Sequence, residues 1–330
     1  MDPVTVRLSE ASTHTLRTLS DRLAPALADD PRATTVSLPE LPPGLRDELR
    51  ACARTGHDGV TVLRRLPVDA DRMGPTPARW SEVSDQAGAQ WAAQMLLLAR
   101  ALGRPIGWAG QQDGRLVHDI LPTRGEEREQ TGASSAVELS PHTEDAFHPG
   151  RANLLLLACV RNPDRVPTTA ASVRHARLAD TERELLADPA LPILPDSSYA
   201  EADGFGGQAP PVATVWETGA GLGLRYDPAY TPLDDGNPAY LRAYRRLGAE
   251  LARAAVGVRL DPGDVLVIDN DVAVHGRQPF RARYDGTDRW LRRVSVRVPG
   301  RRRPDADEHG YGQRVLDPFA GRFEDEEDTP

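Results

Sequence analysis

The sequence predicts an α+β fold in which a β-sandwich or barrel-like core carries helices on its outside. Two observations lead to this prediction. Amphipathic helical patterns dominate the first hundred residues, and short β-like runs bounded by turn residues recur from about residue 104 onward. Strands and helices of this kind bury their apolar faces together when the strands form one core and the helices cover it. A chain of 330 residues with 39% hydrophobic residues is long and apolar enough for such a core.

The amino-terminal part, residues 1–103, is expected to be mainly helical and to pack on the core. Apolar residues recur at helical spacing in three segments, which are 10–27, 42–55 and 89–103. Gly103 marks the expected end of the last helix, because glycine is common just after a helix terminus. Residues 59–67 are rich in Val and Leu and close with proline, which predicts a strand.

Residues 104–300 are expected to form the β core. The candidate strands are 114–122, 136–145, 153–162, 211–218, 221–227, 263–270 and 289–298. A helical insert is expected at 238–258, where apolar residues return to helical spacing. Residues 301–330 are interpreted as a tail whose acidic end, 323–330, favours a solvated segment. The whole chain, 1–330, is therefore expected to form a single domain.

Composition excludes several classes of partner. The net charge of -9 argues against a general nucleic-acid binder. The longest apolar runs, such as 153–160, are shorter than the ~20 residues that cross a bilayer. The chain opens without a secretory pattern, and its two cysteines, Cys52 and Cys159, indicate buried small hydrophobes rather than a disulfide. We expect a cytoplasmic protein that binds neither nucleic acid nor membrane.

The stretch "HTEDAFHP" (142–149) is the first candidate for chemistry. Residues i and i+2 of a strand point to one face, so His142 and Glu144 can direct an imidazole and a carboxylate into one space. A third ligand is expected from His275, which follows a β-like run and a turn-prone Asp-Asn-Asp. Two histidines and one carboxylate leave coordination positions open, as in non-haem Fe(II) oxygenases. Zinc could use the same ligands.

The second candidate is the arginine pair in "DRWLRRVSVR". Arg289 and Arg293 are four residues apart on a predicted strand and therefore share a face. A guanidinium binds a carboxylate through two parallel hydrogen bonds, and 2-oxoglutarate would need such a partner for its far carboxylate. His148 is expected to lie behind the metal ligands or at the surface. No role is expected for the remaining candidates, His57, His118, His175 and His309.

These motifs resemble the clavaminate synthase-like family of Fe(II)- and 2-oxoglutarate-dependent oxygenases. The likeness runs through 107–114, 142–164 and 263–297, and is closest to hydroxylases that act on free arginine or asparagine in peptide-antibiotic pathways. It implies a double-stranded β-helix, a jelly-roll or cupin-like core with flanking helices, in one oxygenase domain. It also implies Fe(II) and 2-oxoglutarate as cofactors and O2 as co-substrate.

The resemblance further implies roles for individual residues. His142, Glu144 and His275 would bind iron. Arg289 would hold the distal carboxylate of 2-oxoglutarate with Thr168, although Thr169 leaves that register open by one. The residues implied to contact an amino-acid substrate are Gln111 and Glu144 at the amino group, Arg293 at the carboxylate and Asp227 at a distal guanidinium.

Two departures from the arginine enzymes leave the substrate open. Their second acid falls at Ala229 here, and a serine that contacts the substrate falls at Gly132. Arginine, lysine and other cationic or modified amino acids are therefore all candidates. We expect hydroxylation of C3 or C4 of a free basic L-amino acid in natural-product biosynthesis. The alternatives are a desaturase of the same substrates, a non-catalytic metal- or ligand-binding β-sandwich protein and a zinc hydrolase.

Overall fold

The computed structural model describes residues 3–53, 56–67, 69, 71–199, 209–304 and 308–320. Its helices are α1 (Glu10–Asp29), α2 (Pro43–Ala53), α3 (Asp85–Leu102), α4 (Asp180–Ala187) and α5 (Pro238–Ala254). Its strands are β1 (Val4–Arg7), β2 (Val60–Arg64), β3 (Arg104–Trp108), β4 (Val117–Ile120), β5 (Leu139–His142), β6 (Leu154–Arg161), β7 (Thr168–Ser172), β8 (Val215–Thr218), β9 (Gly221–Leu224), β10 (Val256–Val258), β11 (Val265–Asp269), β12 (Ala273–Arg277), β13 (Trp290–Arg297) and β14 (Val315–Leu316).

The strands form two main sheets and a separate hairpin. The larger sheet has eight strands in the order β1-β2-β11-β6-β13-β3-β14, with β4 also paired to β13. The smaller sheet has four strands in the order β10-β7-β12-β5, and β8 pairs with β9. Apart from the parallel β1–β2 pair, these strand pairs are antiparallel. Two facing antiparallel sheets form the expected jelly-roll core with flanking helices.

Alternation along β6 explains how the two sheets pack. Leu155 and Leu157 point inward and pack with Ala170 and Ala273 of the smaller sheet. Their neighbours on β6 point outward and join the cluster that contains the amino-terminal helices. A strand with apolar residues on both faces is buried on both sides, as expected for the centre of a two-layer fold. Cys159 lies in the inner layer as a free, buried thiol, whereas the side chain of Cys52 lies outside the described residues.

Helix α3 packs against the outer face of the larger sheet, as its apolar sequence predicts. Ser84 begins it by accepting a hydrogen bond from the backbone N–H of Ala87 at 3.3 Å. Gly103 ends it, and a Cβ at that position would overlap the backbone carbonyl of Arg297 on β13. Glycine therefore allows the helix end to approach the sheet. No helix in the described ranges is long and apolar enough to cross a bilayer.

The helical insert is shorter than predicted. Helix α5 ends at Ala254, and Val256–Val258 form strand β10 instead of the last helical turn of 238–258. β-Branched residues favour extended backbone, and β10 finds main-chain partners on β7. Tyr244 and Leu247 of α5 are buried against the outer face of the smaller sheet.

Segments from residues 1–103 and from beyond residue 300 join the larger sheet. Strands β1 and β2 lie within 1–103, so this part does more than pack helices on the core. Strand β14 lies beyond residue 300 and pairs with β3, and Phe319 is buried. Strand β2 falls within the strand predicted at 59–67, whereas β1 and β14 were not predicted, because main-chain pairing to a distant strand has no local sequence signature. The acidic end, 323–330, lies outside the described residues.

Candidate metal centre and substrate pocket

The predicted metal ligands converge at the end of the smaller sheet. In the antiparallel pairing of β5 and β12, His142 lies directly opposite His275. Oε2 of Glu144 lies 3.2 Å from Nε2 of His275 and 3.8 Å from Nε2 of His142. All three potential ligand atoms lie within 4.8 Å of one another. The register of one strand pair therefore gathers residues that are more than a hundred positions apart in the chain.

Glu144 lies just beyond the strand, not on it as predicted. Strand β5 ends at His142, and Glu144 begins the turn that follows. Asn270 holds this turn, because its side chain accepts a hydrogen bond from the Glu144 N–H at 2.8 Å and donates one to the Glu144 carbonyl at 3.0 Å. Nδ1 of His142 donates to the carbonyl of Ser140 at 2.8 Å, which leaves Nε2 free to bind a metal.

The chemistry of these donors fits a divalent metal ion. Despite the cost of burial, the charge of Arg293 and the two imidazoles hold the pKa of Glu144 well below its usual range. Burial and the neighbouring His142 lower the pKa of His275 to about 4, which keeps this imidazole neutral. Against the effect of burial, the hydrogen bond with Glu144 raises the pKa of His142 to about 9. A metal ion bound here would replace that proton, as metals do at histidine ligands.

Next to the metal ligands lies a buried guanidinium that has no acidic partner. Arg289 is buried, and its Nη2 donates to Oγ1 of Thr168 at 2.9 Å. Within the described part of the chain, no carboxylate forms an ion pair with it, and its Nε has no hydrogen-bond partner. Burial lowers its pKa to about 10, so the group remains charged at neutral pH. This arrangement fits an anion, and it places Thr168 rather than Thr169 beside Arg289.

A small cavity connects this guanidinium to the metal ligands. It has a volume of about 50 Å³ and is lined by His142, Glu144, His275, Thr168 and Arg289, by two further arginines, Arg277 and Arg293, and by apolar residues. A small dicarboxylate could therefore bridge the metal ligands and Arg289 once side chains adjust around it. Metal ligands at one end and the Arg289 guanidinium at the other are the groups that 2-oxoglutarate requires.

A larger cavity of about 740 Å³ opens on the other side of Glu144, and four predicted substrate contacts line it. Arg293 donates to Oε1 of Glu144 and, at 2.8 Å, to Oε1 of Gln111. Nε of Arg293 has no hydrogen-bond partner among the residues described. The structure thus brings Gln111, Glu144 and Arg293 into one group, with a donor left for a ligand.

Asp227 lies at another part of the same cavity. Its Oδ1 accepts from the backbone N–H groups of Ala229 and Tyr230 at 3.0 and 3.3 Å, so it also closes a turn. Burial raises its pKa to about 6. Asp196, which the sequence did not single out, lines the cavity as well and contributes to that rise. Ala229 is exposed and does not line the cavity, whereas Glu126 and Glu129 line it together with Asp196 and Asp227.

Gly132 lines both cavities beside Ile120. A Cβ at position 132 would lie 2.9 Å from Cγ2 of Ile120, so a serine there would displace this side chain. The glycine at position 132, where the arginine enzymes have a serine, therefore accommodates the side chain of Ile120 in the cavity lining.

The other histidines have different outcomes. His148 is buried beside Trp108, with ring centroids 4.9 Å apart, and takes no part in the metal cluster, as expected. His118, for which no role was expected, contacts Arg293. The local sequence gave no sign of this contact, because it depends on the pairing of β4 with β13.

Comparisons with known proteins agree with this geometry. Residues 206–295 match the family described as taurine catabolism dioxygenase TauD, TfdA family. The chain is 40% identical over 285 residues to an enduracididine beta-hydroxylase of Streptomyces hygroscopicus, covering 78% of this chain and 82% of that protein. It is 33% identical over 312 residues to an L-ornithine/L-arginine 3-hydroxylase of Catenulispora acidiphila, covering 83% of this chain and 90% of that protein.

A solved structure extends the similarity to three dimensions. The non-haem iron oxygenase OrfP in complex with Fe and alpha-ketoglutaric acid superposes with a TM-score of 0.74 at 39% identity, covering 89% of this chain and 94% of that chain. Another OrfP structure holds Fe, succinate and (3S)-hydroxy-L-Arg. The fold, the ligand set and the identity over most of both chains agree. This chain belongs to the clavaminate synthase-like family of Fe(II)- and 2-oxoglutarate-dependent oxygenases, within the wider TauD/TfdA family.

Proposed function

We propose that this oxygenase hydroxylates C3 or C4 of a free basic L-amino acid. His142, Glu144 and His275 hold Fe(II) in this proposal, and Arg289 with Thr168 holds the distal carboxylate of 2-oxoglutarate. The observation that carries it is that Arg289 is buried in one cavity with the metal ligands and forms no ion pair with a carboxylate of the described residues. A buried cation without a partner is costly, so its retention favours a bound anion.

The chain's own residues position the substrate. The iron, bound with 2-oxoglutarate and O2, supplies the oxidising power that attacks an unactivated C–H bond. Arg293 binds the α-carboxylate of the amino acid, and Gln111 and Glu144 accept hydrogen bonds from its amino group. Asp227 binds the cationic end. Contacts at both ends determine which carbon faces the metal, and small displacements of a reacting atom change both rate and product.

Two observations support a basic substrate. Asp227 and Asp196 both line the larger cavity, away from the guanidinium of Arg289. Two relatives are named for hydroxylation of enduracididine and of ornithine or arginine, and one OrfP structure contains (3S)-hydroxy-L-Arg. Beta- and 3-hydroxylation denote the same carbon, so C3 is favoured over C4. A role in natural-product biosynthesis remains part of the proposal, as the family resemblance implies.

We also propose that the whole chain is one oxygenase domain that works in the cytoplasm. Strands β1, β2 and β14, from both ends of the chain, complete the larger sheet, which supports a single unit. The buried free thiol of Cys159 is compatible with a reducing compartment.

A panel of free amino acids, with arginine and lysine first, tests the function. We expect succinate release that depends on Fe(II), 2-oxoglutarate and a basic amino acid, and a product heavier by one oxygen atom. A product lighter by two hydrogens would indicate a desaturase instead. Activity that follows zinc and ignores 2-oxoglutarate would refute the proposal. The Glu144→Ala variant is the inactive control.

A further inference from the structure

His118 is held in one tautomer by its position on β4. It lies directly opposite Arg293 of β13 in the antiparallel pairing and is 3% exposed. Its Nε2 lies 2.9 Å from the backbone carbonyl oxygen of Arg115. A carbonyl oxygen can only accept, so Nε2 carries the proton and donates. The other ring nitrogen, Nδ1, then has a free lone pair.

That lone pair meets the guanidinium across the strand pair. Nη2 of Arg293 lies 3.0 Å from Nδ1 of His118 and can only donate to it. Burial, together with the charge of Arg293, lowers the pKa of His118 to about 3. The imidazole therefore stays neutral and keeps its acceptor near neutral pH.

Among the described residues, three side-chain atoms accept hydrogen bonds from Arg293, and they differ in their other contacts. Oε1 of Glu144 and Oε1 of Gln111 are two of them, and Nδ1 of His118 is the third. In the proposed function Glu144 also binds the metal, and Glu144 and Gln111 both meet the substrate's amino group. Of the three, His118 alone has no ligand to share, so it can hold the guanidinium in every state of the site.

We propose that His118 is a positioning residue that orients Arg293 to bind the α-carboxylate of the amino-acid substrate. The inference rests on the proposed function, in which Arg293 binds that carboxylate. His118 acts only through Arg293. Its loss should weaken recognition of the amino acid while leaving 2-oxoglutarate binding at Arg289 unchanged.

Two substitutions separate the two hydrogen bonds of the imidazole. In His118→Asn the amide oxygen can take the place of Nδ1 and accept from Arg293, but the bond to Arg115 is lost. In His118→Gln the amide nitrogen can take the place of Nε2 and donate to the Arg115 carbonyl, but the acceptor for Arg293 is lost. His175→Gln is the matched control, because His175 pairs with Asp58 at 2.7 Å and lines neither cavity.

The measurements are KM for the amino acid, KM for 2-oxoglutarate and kcat. We expect His118→Gln to raise KM for the amino acid by ~10-fold or more, the usual effect of losing a hydrogen bond to a charged group. His118→Asn should stay closer to the unsubstituted enzyme, and neither variant should change KM for 2-oxoglutarate. The preference of the enzyme for an amino acid over its amide should fall in His118→Gln, because only the acid uses Arg293 fully. The proposal would be overturned if both KM values rose in parallel. It would also be overturned if KM for the amino acid rose more in His118→Asn than in His118→Gln.

Two further readouts keep the test decisive. If the variants do not fold, the ¹⁵N spectrum of the unsubstituted protein still reports the His118 ring, and a proton on Nδ1 would overturn the proposal. Calorimetry with Mn(II) and 2-oxoglutarate measures amino-acid binding without turnover and should show the same order of variants. An unsubstituted enzyme that oxidises no amino acid refutes the proposed function. An active enzyme whose variants are indistinguishable from it refutes only the role of His118.

Discussion

Replacing Thr168 by valine tests the anchor for 2-oxoglutarate. Valine keeps the shape of threonine but removes the hydroxyl that accepts from Arg289 Nη2 at 2.9 Å. Thr168 and Arg289 are buried, at 3% and 7% exposure, so water does not readily replace the lost hydrogen bond. That hydroxyl can also donate its own hydrogen to a carboxylate bound by Arg289. Losing a hydrogen bond to a charged group costs about 1.5–3 kcal/mol, which corresponds to roughly 10- to 150-fold in affinity.

We therefore expect Thr168→Val to raise KM for 2-oxoglutarate by that factor, measured as succinate release at saturating amino acid. Thr169→Val is the control, because Thr169 is the next residue of β7 and points to the other face of the strand. It should leave KM for 2-oxoglutarate unchanged. The reasoning fails if Thr169→Val has the larger effect, or if Thr168→Val alters KM for the amino acid alone.

Three further predictions concern the substrate, the metal and the packing around it. Asp227→Asn keeps an oxygen for the turn but removes the charge, so kcat/KM for a guanidino substrate should fall by roughly 10- to 150-fold; an unchanged value would exclude Asp227 as the partner of the cationic end. Glu144→Ala should abolish succinate release and the rise in Tm that Mn(II) causes in the unsubstituted protein; a retained rise would place the metal elsewhere. In Gly276→Ala the new Cβ would lie 2.5 Å from the carbonyl oxygen of Leu139. The free energy of unfolding, measured with denaturant, should therefore fall by about 1–3 kcal/mol. Gly219→Ala, with nothing within 4 Å of the new Cβ, should show no such fall.

The local sequence was sufficient to predict features of the structure where a residue type has one strong chemical or conformational preference. The spacing of His142 and Glu144, and of Arg289 and Arg293, predicted side chains that the structure does gather around one pair of cavities. Gly103 ends its helix as predicted, because glycine is favoured just after a helix terminus whatever the tertiary contacts are. Residue type and spacing were sufficient for these predictions, although Glu144 lies in the turn after β5 and Arg289 lies one residue before β13, not on the predicted strands.

Contacts chosen by tertiary pairing could not be predicted in the same way. Asn270 holds the turn of Glu144 from the end of β11, and the sequence showed it only as a turn-prone residue. His118 meets Arg293 because β4 pairs with β13 in one register. The same reason explains Val256–Val258, which leave the helical pattern when β7 offers main-chain partners. The register of paired strands is decided by long-range packing. The local sequence around a single polar side chain therefore does not predict its partner.

Arg289, which immediately precedes β13, and Arg293, which lies on it, show why position alone does not decide a role. Arg289 and Arg293 line the same cavity, yet Arg293 has Glu144 beside it, whereas the only hydrogen-bond partner of Arg289 among the described residues is the hydroxyl of Thr168. The charge of Arg293 is offset by the protein itself, so this arginine is already ordered before any substrate arrives. The charge of Arg289 is not offset, and a dicarboxylate that neutralises it relieves a desolvation cost that the folded chain otherwise bears. Binding free energy of this kind adds to folding stability, so the cofactor should stabilise the protein more than a neutral analogue of the same size.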